Sequence, residues 1–344
     1  MKAELLSVLA CPRDHQPLHY SDDRWLTCDG GHKYPVIEGV PVLLVDDVIA
    51  TLGVEPMSMG RAWGTISGDS RAPELYLESL GLSELEKDGI AQLWREKKLE
   101  IDPVVQYLVG ATCGVAYKGI IGRLTEYPIP EIPLPASSGE ILIDIGCNWG
   151  RWSFAAAKKG YRVTGIDPQL GAVIAAARVA RQLGQDVNFV CADARFLPFG
   201  SGRIDVAFSY SVLQHFGGDD CRKSLGEMSR VLKKGGISLI QLANLFGVRS
   251  MYHQFRRFFR EPRGFEVRYY TPWQMERSFQ SIVGETALFA DCYFGLGLQA
   301  SDLRFMQGVP RLATWISKIL SKLSGRVRPL VLVADSLYVR SIKR

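Results

Sequence analysis

The sequence predicts an α/β protein with a doubly wound, mostly parallel sheet of seven strands, preceded by a small β-rich module. From Glu140 onward, short apolar segments alternate with segments of helical periodicity, and the joints between them are short. Such β-α-β alternation is typical of a parallel sheet with helices on both faces. Strands are predicted at 141–145, 161–166, 187–191, 204–209, 237–242, 286–293 and 336–342. Helices are predicted at 151–159, 170–183, 219–232, 272–280 and 310–324, with Gly235 and Gly236 ending the one that starts near 219.

The chain divides by composition into three parts. Residues 1–48 contain prolines 12, 17, 35 and 41 between short apolar segments, which favours a small β-rich module. Residues 49–135 form a predicted linker and helical cap, with helices at 74–80 and 83–98 and with 102–118 as a candidate cap over the site. Residues 136–344 form the main domain, with insertions near 244–271 and 296–330.

Composition excludes several classes of protein. The chain has 344 residues and a net charge of +5, and its 47% hydrophobic and 22% charged residues are near the average for globular proteins. No apolar run approaches the ~18 residues needed to span a bilayer. The seven cysteines are an odd number and suggest no disulfide framework. The sequence Val8-Leu9-Ala10-Cys11 is similar to a lipoprotein cleavage box, but the apolar stretch before it is too short for a signal. We therefore expect a cytoplasmic protein.

A glycine-containing turn and a later acid predict a nucleotide-type cofactor site. Asp144, Gly146 and Gly150 lie between a predicted strand and a helix, where a backbone without side chains can approach a ligand closely. Asp167 closes the second strand, where an acid can accept hydrogen bonds from ribose hydroxyls. These features alone also fit a nicotinamide-dependent dehydrogenase.

Three further features separate the alternatives. The turn has the spacing G-x-x-x-G after Asp144 rather than G-x-G-x-x-G, Asp193-Ala194 follows the third strand, and the sequence from Asp205 to Phe216 forms the fourth strand and its loop. This ordered set resembles the class I S-adenosylmethionine-dependent methyltransferases, a Rossmann-like family, and especially their small-molecule group. The sequence departs from that family at Cys147-Asn148-Trp149, where small residues are more usual.

The resemblance implies a role for each residue of the set. It implies that the methionine part of S-adenosylmethionine lies against the first loop, the ribose on the acid after the second strand, the adenine after the third strand and the sulfonium near the fourth. The implied cofactor-binding residues are Asp144, Gly146, Cys147, Gly150, Asp167, Asp193, Ala194, Ser209 and Tyr210.

His215 is the candidate general base, because it follows the fourth strand at the mouth of the predicted site. The alternative is a loop histidine that positions the backbone or faces solvent. Tyr210, Tyr252 and His253 are weaker candidates. An Asn/Asp-Pro-Pro-aromatic motif is missing after the fourth strand, which favours a small-molecule acceptor at oxygen, nitrogen or carbon.

Cysteine and histidine recur in the first module at Cys11, His15, Cys28 and His32. Together with Tyr34-Pro35 and the segment 39–44, these residues resemble the Trm112-like zinc-ribbon family, which partners or fuses with methyltransferases. The family often holds zinc with two C-x₂-C knuckles, whereas Asp14 and Gly31 stand at two of those positions here. The resemblance implies a zinc site of Cys11, Cys28, His32 and either His15 or Asp14. The alternative is a metal-free module that packs on the main domain.

Basic residues cluster in two places. Five arginines alternate with aromatic residues between 252 and 270, which suits an anionic acceptor, an RNA or a solvated helix face. The segment 304–344 carries nine lysines and arginines and one acid, and its helix at 310–324 is amphipathic. Peripheral membrane contact is the less favoured interpretation of this helix, since a strand follows it and packing on the sheet explains the apolar face.

The leading hypothesis is therefore methyl transfer from S-adenosylmethionine to a small or lipid-like molecule, with zinc as a second bound group. An RNA or protein methyltransferase and a cofactor-binding partner subunit without catalysis are the alternatives. The sequence leaves the oligomeric state and the acceptor open.

Overall fold

The computed structural model describes residues 3–51, 53–68, 83–96, 99–112, 123–295, 297 and 299–344. The predicted helix at 74–80 lies outside these residues, as do the end of the helix predicted at 83–98 and the part of the predicted cap after Thr112. The chain forms two compact units, residues 1–203 and 204–344.

The first unit begins with a short helix and an antiparallel meander. Its elements are α1 (Ala3–Val8), β1 (His19–Asp22), β2 (Trp25–Thr27), β3 (Lys33–Ile37) and β4 (Val40–Leu43). Consecutive strands pair in order, and β4 is buried along its whole length. Trp25 and Lys33 cover one face of the meander with a cation–π contact of 4.3 Å.

The rest of the first unit contains the predicted β-α-β alternation. Its elements are α2 (Val54–Ser67), α3 (Glu84–Arg95), α4 (Pro103–Thr112), β5 (Ile141–Ile145), α5 (Arg151–Ala157), β6 (Arg162–Asp167), α6 (Leu170–Leu183) and β7 (Val187–Ala192). The three strands β5, β6 and β7 are parallel and nearly fully buried, as β-α-β crossovers require.

The N-terminal meander joins the parallel strands directly. Val42 and Leu43 of β4 pair in parallel with Cys191 and Ala192 of β7. The strand order in this unit is therefore β1-β2-β3-β4-β7-β6-β5. The first 48 residues thus add four strands to the sheet that carries the predicted cofactor loop.

Two helices of the predicted cap pack on α6. Ser58 of α2 accepts a hydrogen bond from the backbone N–H of Leu170, at the first residue of α6 (3.0 Å). Asp102, just before α4, is buried and pairs with Arg178 of α6 through Nε (2.6 Å) and Nη2 (3.1 Å). The two contacts place α2 at the amino end of α6 and α4 along its side.

The second unit has four strands in the order β8-β9-β11-β10. Its elements are β8 (Ile204–Tyr210), α7 (Gly218–Val231), β9 (Leu232–Ala243), α8 (Val248–Arg256), α9 (Pro272–Ile282), β10 (Gly284–Cys292), α10 (Gly308–Ser324), α11 (Pro329–Val333) and β11 (Ser336–Lys343). β8 and β9 are parallel, whereas β11 is antiparallel to both β9 and β10.

The predicted α/β class is confirmed, and the sheet is mixed. The count of seven strands is not confirmed, because the described residues of the first unit contribute seven strands and those of the second contribute four. The helix before β9 ends at Val231 rather than at the two glycines, which lie inside β9. There Gly236 has no room for a side chain, since a Cβ would lie 2.9 Å from the carbonyl oxygen of Lys233. The domain boundaries at 48 and 135 stay predictions.

Within the described ranges, no helix combines the length and the apolar character needed to cross a membrane.

Candidate functional site

The loop after β5 is held by a buried carboxylate and by paired backbone amides. Asp144 accepts a hydrogen bond from Ser153 Oγ at 2.6 Å. The N–H groups of Gly146 and Cys147 both donate to the carbonyl of Ile166 in β6, at 2.8 and 2.9 Å. The glycine-containing turn is thereby fixed at the carboxyl ends of β5 and β6.

Gly150 is the N-cap residue directly before α5, and a side chain does not fit there. Its φ of 86° lies in the left-handed region, and a Cβ would lie 2.9 Å from Cζ of Phe189 and 3.0 Å from Phe154. The aromatic residue between the glycines has a packing role, because Trp149 is buried against Tyr127 and Phe154. The large Trp149 side chain is thus part of the core.

Asp167 accepts hydrogen bonds from two backbone amides at the end of β6. Its Oδ2 accepts from the N–H of Asn148 (3.0 Å) and its Oδ1 from the N–H of Gln169 (2.9 Å). Burial raises the pKa of Asp167 to about 6, and the nearby carboxylate of Glu55 adds to this increase. The predicted ribose acid therefore lies beside the predicted glycine loop.

Burial also changes the pKa of the other groups of this loop. It raises the pKa of Asp144 to about 7, against the hydrogen bond from Ser153 and with a contribution from the charge of Asp167. It raises the pKa of the Cys147 thiol as well, so this thiol is protonated at neutral pH. The charge of Asp167 acts in this direction because a nearby negative charge disfavours the charged form of Asp144.

The predicted adenine acid forms an ion pair with an arginine two residues later. Asp193 Oδ2 accepts from both Arg195 Nε (2.9 Å) and Arg195 Nη2 (2.6 Å), and Oδ1 accepts from the backbone N–H of Arg195 (2.8 Å). Both side chains are buried. Arg195 also donates to the carbonyl of Ile49 (2.9 Å). Ala194 is buried between them. Most of the acceptor capacity of Asp193 is thus used by Arg195, and this ion pair was not predicted from the sequence.

Glu55 and Thr51 are two further polar groups beside these residues. Glu55 Oε1 accepts from the N–H of Thr51 (3.1 Å) and lies 3.8 Å from Arg195 Nη2. Among the described residues, no hydrogen-bond partner exists for Glu55 Oε2 or for Thr51 Oγ1, although both atoms are buried. Buried polar atoms without partners are uncommon, so these two point to a ligand. No local sequence signal distinguishes Glu55, since its position depends on how α2 packs on α6.

In the second unit, Ser209 and Tyr210 lie at the carboxyl end of β8. Ser209 is fully buried. The hydroxyl of Tyr210 donates to Asp291 Oδ2 (2.7 Å) and accepts from Gln299 Nε2 (2.7 Å). Asp291 also accepts from Ser336 Oγ (2.8 Å), and burial raises its pKa. Tyr210 is therefore held by a buried polar network on β10 and β11.

His215 ends a 3₁₀ turn after β8 and stacks on Phe265, with ring centroids 3.9 Å apart and planes 11° apart. Its Nδ1 lies 2.9 Å from the carbonyl oxygen of Phe265, which accepts only, so Nδ1 carries the proton. Burial, with the charge of Arg268, lowers the pKa of His215 to about 4. His215 is thus neutral at pH 7, with the lone pair on Nε2.

The arginines between 252 and 270 are largely engaged within the chain. Arg260 forms an ion pair with Glu266, Arg257 donates to the carbonyl of Val267 (2.9 Å), and Arg268 donates to that of His215 (2.7 Å). Arg256 lies over the ring of Tyr252 at 5.9 Å. The contact of Arg268 joins this segment to the 3₁₀ turn that carries His215, and the other contacts lie within the segment.

A cluster of four potential metal ligands lies in the meander. The ligand atoms of Cys11, Asp14, Cys28 and His32 all lie within 4.8 Å of one another. His32 Nδ1 lies 3.4 Å from both thiol sulfurs and 3.1 Å from Asp14 Oδ2. The cluster includes Asp14 rather than His15, whose φ of 60° puts it in the left-handed region of a turn.

The donor set and spacing fit a tetrahedral zinc ion. Two thiolates at about 2.3 Å and a nitrogen and an oxygen at about 2.0–2.1 Å would place neighbouring ligand atoms roughly 3.3–3.8 Å apart. Four of the separations between these sulfur, nitrogen and oxygen atoms run from 3.1 to 3.4 Å, and all of the ligand atoms lie within 4.8 Å of one another. Gly30 leaves room for the cluster, since a Cβ there would lie 2.2 Å from Asp14 Oδ2.

The family comparison matches the segment that carries the glycine loop and the acids. Residues 142–236 match the family model described as a methyltransferase domain. This segment is therefore similar to a methyltransferase domain. The predicted enzyme class and the predicted cofactor, S-adenosylmethionine, are confirmed.

Similar proteins match the same part of the chain. A ubiquinone biosynthesis O-methyltransferase of Caulobacter vibrioides is 34% identical over 107 residues, which cover 31% of this chain and 42% of that protein. One of Coxiella burnetii is 30% identical over 98 residues, covering 28% and 41%. The chain thus spans about two fifths of the length of these relatives. A Haemonchus contortus phosphoethanolamine N-methyltransferase 2 structure with S-adenosylhomocysteine has a TM-score of 0.44 at 18% identity, over 68% of this chain and 59% of that one.

The raised pKa of Asp144 predicts a pH-dependent stability. A folded-state pKa of about 7 lies above the ordinary 3.8, so the stabilisation is complete at low pH and is lost as pH rises through 7. We expect the free energy of unfolding to fall by about 2 kcal/mol between about pH 5 and about pH 8 from this group alone. Asp144→Asn keeps an oxygen for Ser153 and should remove most of this decrease, as measured by denaturant unfolding.

The exposed Asp88 on α3 provides the matched control. Asp88→Asn should leave the pH dependence unchanged. An Asp144→Asn protein that loses as much stability as the wild type between the two pH values contradicts the assignment.

Proposed function

We propose that the chain transfers the methyl group of S-adenosylmethionine to a hydroxyl oxygen of a small molecule. The observation that carries the proposal is the position of Asp167, which lies beside the glycine loop and is held by amides on both sides of it. The proposed acceptor class rests on the two similar proteins, which are ubiquinone biosynthesis O-methyltransferases. Their similarity to this chain is confined to the matched segment.

The charges of the first unit suit this cofactor. S-adenosylmethionine supplies an electrophilic methyl group on a cationic sulfonium. Asp144 and Asp167 are buried acids, and the groups that lower their pKa are hydrogen-bond donors. A cationic ligand in such a place offsets the cost of burying their charges. The proposed contacts of the first unit are Asp144, Gly146, Cys147, Gly150, Asp167, Asp193 and Ala194.

Glu55 extends this proposed set. Its Oε2 is buried, lacks a partner within the described part of the chain, and lies close enough to Asp167 to raise the pKa of that acid. A carboxylate oxygen in this position can accept a hydrogen bond from a ribose hydroxyl or from the adenine amine. Asp193 has less capacity for that role, because Arg195 already donates to its oxygens. In the second unit, Ser209 and Tyr210 are proposed for the sulfonium side on the family resemblance.

Calorimetry with S-adenosylmethionine tests the cofactor site. We expect micromolar binding by the full chain and at least about tenfold weaker binding by Asp167→Ala, because hydrogen bonds to a charged group contribute about 1.5–3 kcal/mol each. Glu55→Gln should weaken binding less. The affinity should also fall as pH drops below about 6, since protonation removes an acceptor on Asp167.

Asp88→Asn, an exposed acid, should bind as tightly as the wild type. Absence of binding by folded wild-type protein, or equal binding by Asp167→Ala, overturns the proposed site. Binding without methyl transfer to any hydroxyl acceptor favours a partner subunit over an enzyme.

His215 is the proposed general base. When a hydroxyl oxygen forms its bond to the methyl group, the C–S bond breaks, the electron pair stays on sulfur and the hydroxyl proton must leave. Nε2 of His215 carries the lone pair that would take that proton, because Nδ1 donates to the carbonyl of Phe265. The stacked ring of Phe265 and the contact of Arg268 with the carbonyl of His215 hold the imidazole in place.

His215→Gln should lower kcat by about 10²–10⁴-fold with little change in KM for either substrate, as expected for loss of a general base. The wild-type rate should show no inflection near pH 6.5, because burial lowers the pKa of His215 to about 4. Steady-state kinetics from about pH 5 to pH 9 measure both.

His253 lies on α8 and serves as the control histidine. His253→Gln should leave kcat within about twofold of the wild type. A His215→Gln enzyme that keeps its kcat and changes only KM assigns the residue a structural role.

We further propose that Cys11, Asp14, Cys28 and His32 hold a structural zinc ion. Zinc would join the turn before β1 to the loop between β2 and β3, and this meander carries the strand that pairs with β7. Tyr34 donates to or accepts from Cys11 at 3.2 Å and so supports one ligand from outside the cluster. This arrangement supports a Trm112-like module that is fused to a methyltransferase domain.

The purified chain should carry about one zinc per molecule by elemental analysis. Cys28→Ser should lose it, with a decrease in Tm of at least about 5 °C, because a structural metal contributes directly to folding. Cys221→Ser, on α7 and outside the cluster, is the matched control and should keep its zinc. Full zinc occupancy in Cys28→Ser contradicts the proposed ligands.

A further inference from the structure

The longest helix of the second unit presents its apolar side chains outward. Val309, Leu312, Trp315, Ile319 and Leu323 recur at spacings of three and four along α10, and all five are exposed. Val309 is 80% exposed and Trp315 is 54% exposed. The sequence predicts that this apolar face packs on the sheet. In the structure these five side chains are instead exposed.

Small polar residues form the opposite, buried face of α10. Thr314, Ser317 and Ser324 are the buried residues of the helix. Ser317 Oγ accepts from the N–H of Tyr293 (2.8 Å), and Ser321 Oγ donates to the carbonyl of Asp291 in β10 (2.7 Å). These hydrogen bonds fix the rotation of α10 and hold its apolar face outward.

The outward face continues into the next helix. Val327, Leu332 and Val333 are each more than 40% exposed, and α11 has no buried residue. A run of eight exposed large apolar side chains is unusual on a soluble surface and indicates an interaction site.

The charge around this face has one sign. Between residues 303 and 334 the chain has six basic residues and no acid: Arg304, Arg311, Lys318, Lys322, Arg326 and Arg328. Helical periodicity places Arg311, Lys318 and Lys322 along one edge of the apolar stripe, beside Trp315. All three are exposed.

We propose that α10 and α11 dock the protein on an anionic lipid surface, with the apolar stripe among the acyl chains and the basic edge on the headgroups. An amphipathic helix with lysine, arginine and tryptophan on the adjoining faces lies in the plane of such a surface. A second copy of this chain fits the face less well, because a two-fold pairing would bring two basic edges together. This proposal does not depend on the proposed reaction.

Vesicle flotation with the full chain tests the proposal. We expect the protein to float with vesicles of phosphatidylcholine and phosphatidylglycerol and to float much less with phosphatidylcholine alone. The triple variant Leu312→Ser, Ile319→Ser and Leu323→Ser should bind at least about tenfold more weakly, since each lost side chain removes apolar area that lipid would cover. Lys318→Glu with Lys322→Glu should bind at least about tenfold more weakly to anionic vesicles at low ionic strength. Wild-type binding should weaken as ionic strength rises, because salt screens the basic edge.

Two controls keep the outcome specific. Leu85→Ser and Ile49→Ser remove exposed apolar side chains of the first unit and should leave vesicle binding unchanged. Thermal unfolding should show that all variants are folded, because the substituted side chains are exposed. Brominated lipid should quench part of the tryptophan fluorescence, and Trp315→Phe should remove that part.

Three results overturn the proposal. They are the absence of binding to anionic vesicles at low ionic strength, unchanged binding by the triple serine variant, and a concentration-dependent dimer that the triple variant abolishes in place of vesicle binding.

Discussion

Buried negative charge at the carboxyl ends of β5 and β6 is the constraint on which the first unit depends. Asp144 and Asp167 lie in one loop system, and burial raises the pKa of each. The backbone offsets part of the free-energy cost of burying this charge, because the N–H groups of Asn148 and Gln169 donate to Asp167. The same loop requires glycine at position 150, because a Cβ there would meet the rings of Phe189 and Phe154.

The same constraint explains why a cap helix lies here. α2 brings Glu55, a third buried carboxylate, towards Asp167 and within 3.8 Å of Arg195. Collecting acids without a full set of partners costs free energy in the empty protein. Such strain is retained where a ligand relieves it, and a ligand with a sulfonium and an amine provides the compensating charge.

The sequence predicted the elements that have local signals and missed those that depend on distant contacts. The strands β5 to β8 were predicted within one or two residues, because each is an apolar run bounded by glycine or an acid. The parallel pairing of β4 with β7 was not, since it joins segments about 150 residues apart with no local signal. The ion pair of Asp193 with Arg195 was not predicted either, because the sequence does not show that both side chains are buried.

The orientation of α10 shows a limit of amphipathicity as a guide. Periodicity identifies two faces but does not state which one the protein buries, and here hydrogen bonds of serine decide it. Those bonds end on Tyr293 and on Asp291, whose carboxylate accepts from the hydroxyl of Tyr210. A single residue, Asp291, therefore connects α10, the helix that is proposed to meet lipid, with the hydrogen-bond network around Tyr210. Asp291 thus accepts hydrogen bonds both from α10, through its backbone carbonyl, and from Tyr210, through its carboxylate.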